Sequence, residues 1–180
     1  MKTKIPLIVL GLLLCCGACK PVNMIQLYRY ELADNLKDST LIVLLEDHST
    51  DIDLLKKYNK PKEADKLIKE DSLNNANIKQ AFVENYQYSA YEFVSKVLTK
   101  VSPTKTYAVF STDKGGPTEE SMNNEFVTRL TIVNASRTLT FDANGMMTKY
   151  AIEYVVKQAN EKLHSLYDLA QKQKSKKAGK

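Results

Sequence analysis

Leu41-Ile42-Val43-Leu44-Leu45-Glu46-Asp47-His48-Ser49-Thr50-Asp51-Ile52-Asp53 is the stretch on which the reading of the whole chain turns. Five apolar residues in a row make a segment of strand length, and the lack of polar alternation is the pattern of a strand covered on both faces. It is expected to be the central strand. Acids and hydroxyls replace the apolar run at Glu46, and Ser49, Thr50 and Asp51 are residue types whose side-chain oxygens accept the free N–H groups of a first helical turn. Thr50 with Asp53 resembles a capping box with Asp in the N3 position. A strand passing into a helix follows.

Downstream, Thr50 to Tyr86 reads as helical but interrupted. Asn59-Lys60-Pro61 breaks it, and Asp71-Ser72 offers a stop with a new N-cap, so two or three short helices are predicted. Their inward residues would be Leu54, Leu55, Ala64, Leu67, Ile68, Ile78, Phe82, Val83 and Tyr86. Tyr91 to Val97 alternates in strand fashion, which completes a βαβ unit with the expected right-handed crossover. Ser102-Pro103-Thr104-Lys105 signals a turn, and Tyr107 to Thr112 the next strand, antiparallel to the one before on the strength of a short connection. Residues 113 to 124 form a polar loop containing Gly115-Gly116-Pro117. Phe126 to Val133 and Arg137 to Phe141 form a strand pair joined through Asn134-Ala135-Ser136.

Asn144-Gly145 is a hairpin signal, yet apolar residues at 147, 150, 151, 154, 155, 159, 163, 166, 167 and 170 trace one helical face. The longer pattern predicts a helix from about Met147 to about Gln171, laid on the sheet and fraying into a lysine tail. Upstream, Pro21 to Asp38 is an amphipathic helix with Ile25, Tyr28, Leu32 and Leu36 on its apolar face. The fold class is α/β, with α+β as the alternative: a small mixed sheet of about five strands, a βαβ unit and a long C-terminal helix. One globular domain, residues 19–171, stands between a leader at 1–18 and a flexible tail at 172–180.

The composition agrees, since 43% hydrophobic and 26% charged residues in a chain of 180 is that of one folded domain. The net charge of +5 suggests nucleic acid until it is located. Seven of the 26 basic residues lie in 1–18 and 172–180, where no acid occurs, leaving 19 against 21 acidic residues in the body. No nucleic-acid partner is expected.

Met1-Lys2-Thr3-Lys4 is a positive n-region, Ile5 to Leu14 an apolar run too short to span a bilayer, and Gly17-Ala18 small residues of a cleavage site. These are the three parts of a signal peptide. Cys15, Cys16 and Cys19 are the only cysteines, so the body has no disulfide framework. Cys16-Gly17-Ala18-Cys19 resembles the lipobox of bacterial membrane lipoproteins. The resemblance covers residues 1–19 and implies that Cys19 is diacylated, carries palmitate-type chains and becomes the mature N-terminus. It also implies an exported protein anchored to a bacterial membrane and facing the periplasm or cell surface. Ordinary cleavage near Ala18 is the alternative. Two acyl chains give a stable anchor where one would be marginal.

Chemistry is sparsely signalled. Glu46 to Asp53 follows a strand directly, where ligands of open α/β sheets bind, and Asp47, His48, Asp51 and Asp53 are candidate ligands for a hard divalent cation or a source of a general base. The competing reading is structural, because caps and first-turn acids are favoured there by the helix dipole. His164 reads as an exposed helix position, and two histidines without body cysteines lack the usual zinc ligand sets. Asp113 to Pro117 lacks P-loop spacing, and no serine sits in a Gly-x-Ser-x-Gly context. Tyr86, Tyr88 and Tyr91 read as packing residues, Lys172 to Lys180 as a solvated tail, and Asn134-Ala135-Ser136 as a glycosylation sequon relevant to a eukaryotic chain. The expectation is a binding or assembly module of the cell envelope with a possible protein partner, no catalytic residue and no cofactor. A metal-dependent hydrolase centred on Glu46–Asp53 and a lipid or small-ligand carrier are the alternatives.

Overall fold

In the computed structural model of the chain, residues 24–95, 102, 104–114, 126–135 and 137–178 are described. The leader, Cys19 and the loop at 115–125 lie outside the described residues. Met24–Lys37 forms α1, Thr40–Leu45 β1, Ser49–Lys57 α2, Pro61–Asn85 α3 and Ala90–Ser95 β2. Thr106–Lys114, Phe126–Asn134 and Arg137–Asn144 form β3, β4 and β5, and Lys149–Ala178 forms α4. The five strands make one mixed sheet in the order β2-β1-β3-β4-β5. The fold is α/β, with the βαβ unit and the long C-terminal helix in place.

β1 is covered on both faces. Leu41 and Val43 join the large core formed with the helices, while Ile42 and Leu44 pack with Tyr107 on the opposite face. It is interior but one strand in from the edge, and β3 holds the middle. β1 runs parallel to β2, with Leu41 opposite Tyr91, and also parallel to β3, with Leu41 opposite Thr106. The expectation that β3 lies antiparallel beside β2 is therefore corrected. An apolar strand must hydrogen-bond along both edges, and β3 supplies the second edge of β1. Ten residues, 96–105, separate β2 from β3, and a chain of that length reaches about 33 Å, enough to return along a strand and pass one neighbour. β3, β4 and β5 then follow as an antiparallel meander. β5 reaches Asn144, three residues past Phe141, and Gly145 at φ 111° turns the chain into α4.

The break at Asn59 is real: its φ is 58° and Pro61 opens α3 at the first turn. Asp71-Ser72, however, interrupts nothing, and α3 is one helix of 25 residues. The Asp71 carboxylate is directed across to His48 and does not cap its own helix. Ala64, Ile78, Ala81 and Phe82 are buried, whereas Leu54, Ile68 and Val83, expected inside, are exposed. Leu54 belongs to α2, which buries no residue and leans on α3 outside the main core. Val83 stands about 100° around the helix from Phe82 and so faces solvent.

In α1, Leu32, Ala33 and Leu36 are buried and Tyr28 is exposed. In α4 most of the expected stripe is buried, at Ala151, Val155, Ala159, Leu163, Leu166 and Ala170, and it differs along one side. Ile152 and Val156 are buried, and Tyr150 and Tyr154 are exposed, because α4 is wedged between α1, α3 and the β4–β5 pair, where β-branched and small side chains fit the close approach. The helix does not fray at Gln171. Asp34 of α1 receives Gln171 Nε2 at 2.8 Å and Lys174 Nζ at 2.7 Å, which carries α4 as far as Ala178.

Candidate functional site

The C-terminal ends of β1 and β2 meet the middle of α3, and this junction ties together polar side chains of Glu46, Asp47, His48, Asp71, Asn74, Asn75 and Ser95 from elements far apart in sequence. Asn75 reads the backbone of Glu46 on both sides: the Glu46 N–H donates to Asn75 Oδ1 at 2.9 Å, and Asn75 Nδ2 donates to the Glu46 carbonyl at 2.8 Å. That pairing does for the end of β1 what a further strand would do. Asn74 Nδ2 donates to Glu46 Oε2 at 3.0 Å and fixes the carboxylate. One turn earlier, Asp71 Oδ2 accepts the His48 N–H at 3.0 Å while Oδ1 lies 2.6 Å from His48 Nδ1.

This ion pair is lopsided in exposure, the His48 side chain being 41% exposed and that of Asp71 14%. The bond to Asp71 raises the pKa of His48 above its ordinary value, burial opposes the rise, and the charges of Asp71, Glu46 and Asp51 add to it. Asp47 points the other way. Its carboxylate accepts the Ser95 hydroxyl from the end of β2 and the Ser49 N–H at 3.0 Å, and these donors hold its pKa below the ordinary carboxylate value. Asp47 thus ties β1 to β2 and caps α2 together. Since α2 begins at Ser49, Thr50 lies inside the first turn and the Thr50–Asp53 capping box does not form.

Comparison of the chain with protein-family models, with curated proteins and with solved structures finds no match. The residues of the junction therefore carry the functional reading by their own geometry.

Of the expected metal ligands, His48 alone belongs to a group of metal-binding atoms. Glu46, His48 and Asp71 bring one donor atom each within 4.8 Å of one another. Asp47 is engaged by Ser95 and Ser49, and Asp51 and Asp53 are exposed in the first turns of α2, so the structure brings His48 together with Glu46 and Asp71 and not with the other three expected residues. Asp71, Asn74 and Asn75 carried a usable sign, since residues i, i+3 and i+4 share a helix face. Reading Asp71-Ser72 as a helix end hid it.

His164 is exposed and meets the Tyr88 ring edge-on at 5.0 Å. Tyr86 and Tyr88 are core residues, as expected, and each hydroxyl is partnered: Tyr86 with Ser89 at 2.9 Å, Tyr88 with the Ala33 carbonyl at 2.7 Å. Burial pushes both phenols well above their ordinary value.

Proposed function

We propose that the chain is an exported, lipid-anchored protein of the bacterial cell envelope that acts by binding or assembly. The observation that carries binding over chemistry is the use to which the junction puts its acids. The carboxylates of Glu46, Asp47 and Asp71 each accept hydrogen bonds from side chains or backbone of other elements, which is the work of a clasp holding β1, β2, α2 and α3 in place. Anchoring is supported by the lipobox-like residues 16–19. Met24, the first residue of α1, stands five residues after Cys19, so an acylated Cys19 would keep the domain within about 17 Å of the bilayer. No helix of the described residues is long and apolar enough to cross a membrane.

Mass spectrometry of the mature N-terminus tests the reading. The expected result is a chain beginning at Cys19 with a diacylglyceryl thioether, and loss of membrane attachment in Cys19→Ser. An intact Met1 start, or a freely soluble chain without acyl groups, would overturn it.

A second reading, a metal-dependent hydrolase, is favoured by the convergence of Glu46, His48 and Asp71 within 4.8 Å. Two carboxylates and an imidazole suit a hard or borderline divalent cation. On the clasp reading, millimolar Mg²⁺, Mn²⁺ or Ca²⁺ leaves the Tm unchanged. A rise that vanishes in His48→Ala would favour the hydrolase instead, because a ligand at 1,000 times its Kd stabilises by about 4 kcal/mol.

A further inference from the structure

β5 ends the sheet, with β4 on one side and no strand among the described residues on the other. Its outward N–H and C=O groups form the row of donors and acceptors that another strand satisfies. Edges of this kind are usually blunted by charged side chains, Pro or a bulge; residues 137–144 contain no Pro, Lys or Gly, and their two charged side chains, Arg137 and Asp142, are each held in an ion pair within the chain, with Glu31 and Arg129. Beside this edge a groove runs between β5 and α4 as two adjoining hollows. One, of about 450 Å³, is bounded by Thr140 and Phe141 against Gln158, Lys162 and Ser165. The other, of about 470 Å³, is bounded by Ala143 and Asn144 against Ala151 and Tyr154. Tyr150 and Tyr154, 82% and 52% exposed, rim the second hollow.

The residues on the α4 wall have a symmetry of their own. Ala151, Tyr154, Gln158, Lys162 and Ser165 succeed one another at spacings of three, four, four and three, so they share one side of the helix, with Glu161 beside Lys162 on the same wall. Counted outward from Gln158, Tyr154 on one side stands as far off as Lys162 on the other, and Ala151 as far as Ser165. An antiparallel copy of the same helix, related by a two-fold axis at Gln158, would therefore set an aromatic face against an ammonium twice over and small residues against small. β5 has a matching centre. Around Asp142, which lies where the two hollows adjoin, Thr140 is placed opposite Asn144 and Phe141 opposite Ala143, large against small. The one like-charge contact, Asp142 with its copy, is relieved within each chain by Arg129, whose Nε and Nη2 reach the carboxylate at 2.8 and 3.3 Å.

We infer that the occupant of this groove is a second copy of the chain: two β5 strands pair antiparallel about a two-fold axis beside Asp142 and Gln158, joining two five-strand sheets into one of ten and apposing the two α4 helices. The pairing satisfies both strand edges at once and closes on itself, as an isologous contact must. It places no requirement on Cys19, so it can fail or stand independently of the lipid anchor.

Two measurements on the purified full chain in detergent test this. A residue on a two-fold axis faces itself, so Gln158→Cys is expected to form an interchain disulfide in most molecules on mild oxidation. Lys79→Cys, exposed on α3, and the parent chain set the background. Light scattering coupled to size exclusion is expected to give a dimer for the parent. Tyr154→Lys, which sets ammonium against ammonium, is expected to weaken it at least tenfold, and the exchange Tyr154→Lys with Lys162→Tyr to restore it to within about threefold. Both positions are exposed, and far-UV circular dichroism checks that each variant is folded. A parent chain monomeric at 100 µM, crosslinking through Gln158→Cys no greater than background, or a folded Tyr154→Lys that dimerises as the parent does would each overturn the inference.

Discussion

Phe82→Ala is expected to cost about 3–5 kcal/mol of stability, the range for removing a buried aromatic side chain. Phe82 is fully buried, and its ring lies 5.1 Å from Tyr86, 5.4 Å from Tyr91, 6.0 Å from Phe93 and 6.3 Å from Phe110. It thus joins the end of α3 to β2 and β3 together. The tilted and edge-on geometries add about 0.5–1.5 kcal/mol per aromatic pair beyond area burial, and the rigid strands around the site cannot collapse into the space left behind. A domain of this size is stabilised by about 5–15 kcal/mol in all, so the variant should be close to the threshold of unfolding at 37 °C. Urea denaturation reads the effect as a lowered midpoint at unchanged slope. The neighbouring Val83→Ala, on the solvent side of the same helix, is expected to fall within about 0.5 kcal/mol of the parent. Equal losses at the two positions would mean that the phase of α3 is wrong.

That contrast shows how far the sequence alone could reach. The unbroken apolar run of β1, the alternation of β2 and the long stripe of α4 carry their element type within themselves, because periodicity is a local property. The five strands, the crossover and the final helix were legible for that reason. The phase of α3 was not. A helix end at Asp71-Ser72 divides the segment into two short helices whose apolar faces are independent, and that places Val83 inside, whereas the single helix turns it to solvent. Asp71 looked like a breaker because aspartate competes for its own backbone in isolation, and what commits it to the helix is a partner 23 residues away. The same applies to β3: a short connection favours antiparallel neighbours, but the demand of β1 for hydrogen bonds along both edges decided its place. Three residues of the clasp, Glu46, Asp47 and His48, stand together in the sequence, and the other four, Asp71, Asn74, Asn75 and Ser95, reach the strand ends only once the crossover has brought α3 and β2 alongside β1.

Because the clasp spans elements so far apart in sequence, Asp71→Ala is expected to be costly, at about 2 kcal/mol. It removes the acceptor of the His48 N–H and the partner of the His48 ring together. Hydrogen bonds to a charged group contribute about 1.5–3 kcal/mol each, and the ring contact is discounted here because the imidazole is two-fifths exposed and screened by water. The loss should depend on pH with a definite sign. Asp71 raises the pKa of His48 in the folded chain, so the folded protein holds this proton more tightly than the unfolded chain, whose imidazole titrates near the usual 6.5. Stability from the pair is therefore fully present below about pH 6.5 and is lost as the pH rises through the elevated His48 value. The difference between parent and Asp71→Ala should be widest at about pH 6 and narrower at about pH 9, where only the bond to the His48 N–H remains. Urea midpoints across that range test it. A difference that stays flat, or widens towards high pH, would show that the imidazole is not held in its charged form by Asp71, and that the clasp works through the backbone contacts of Asp71 and Asn75 alone.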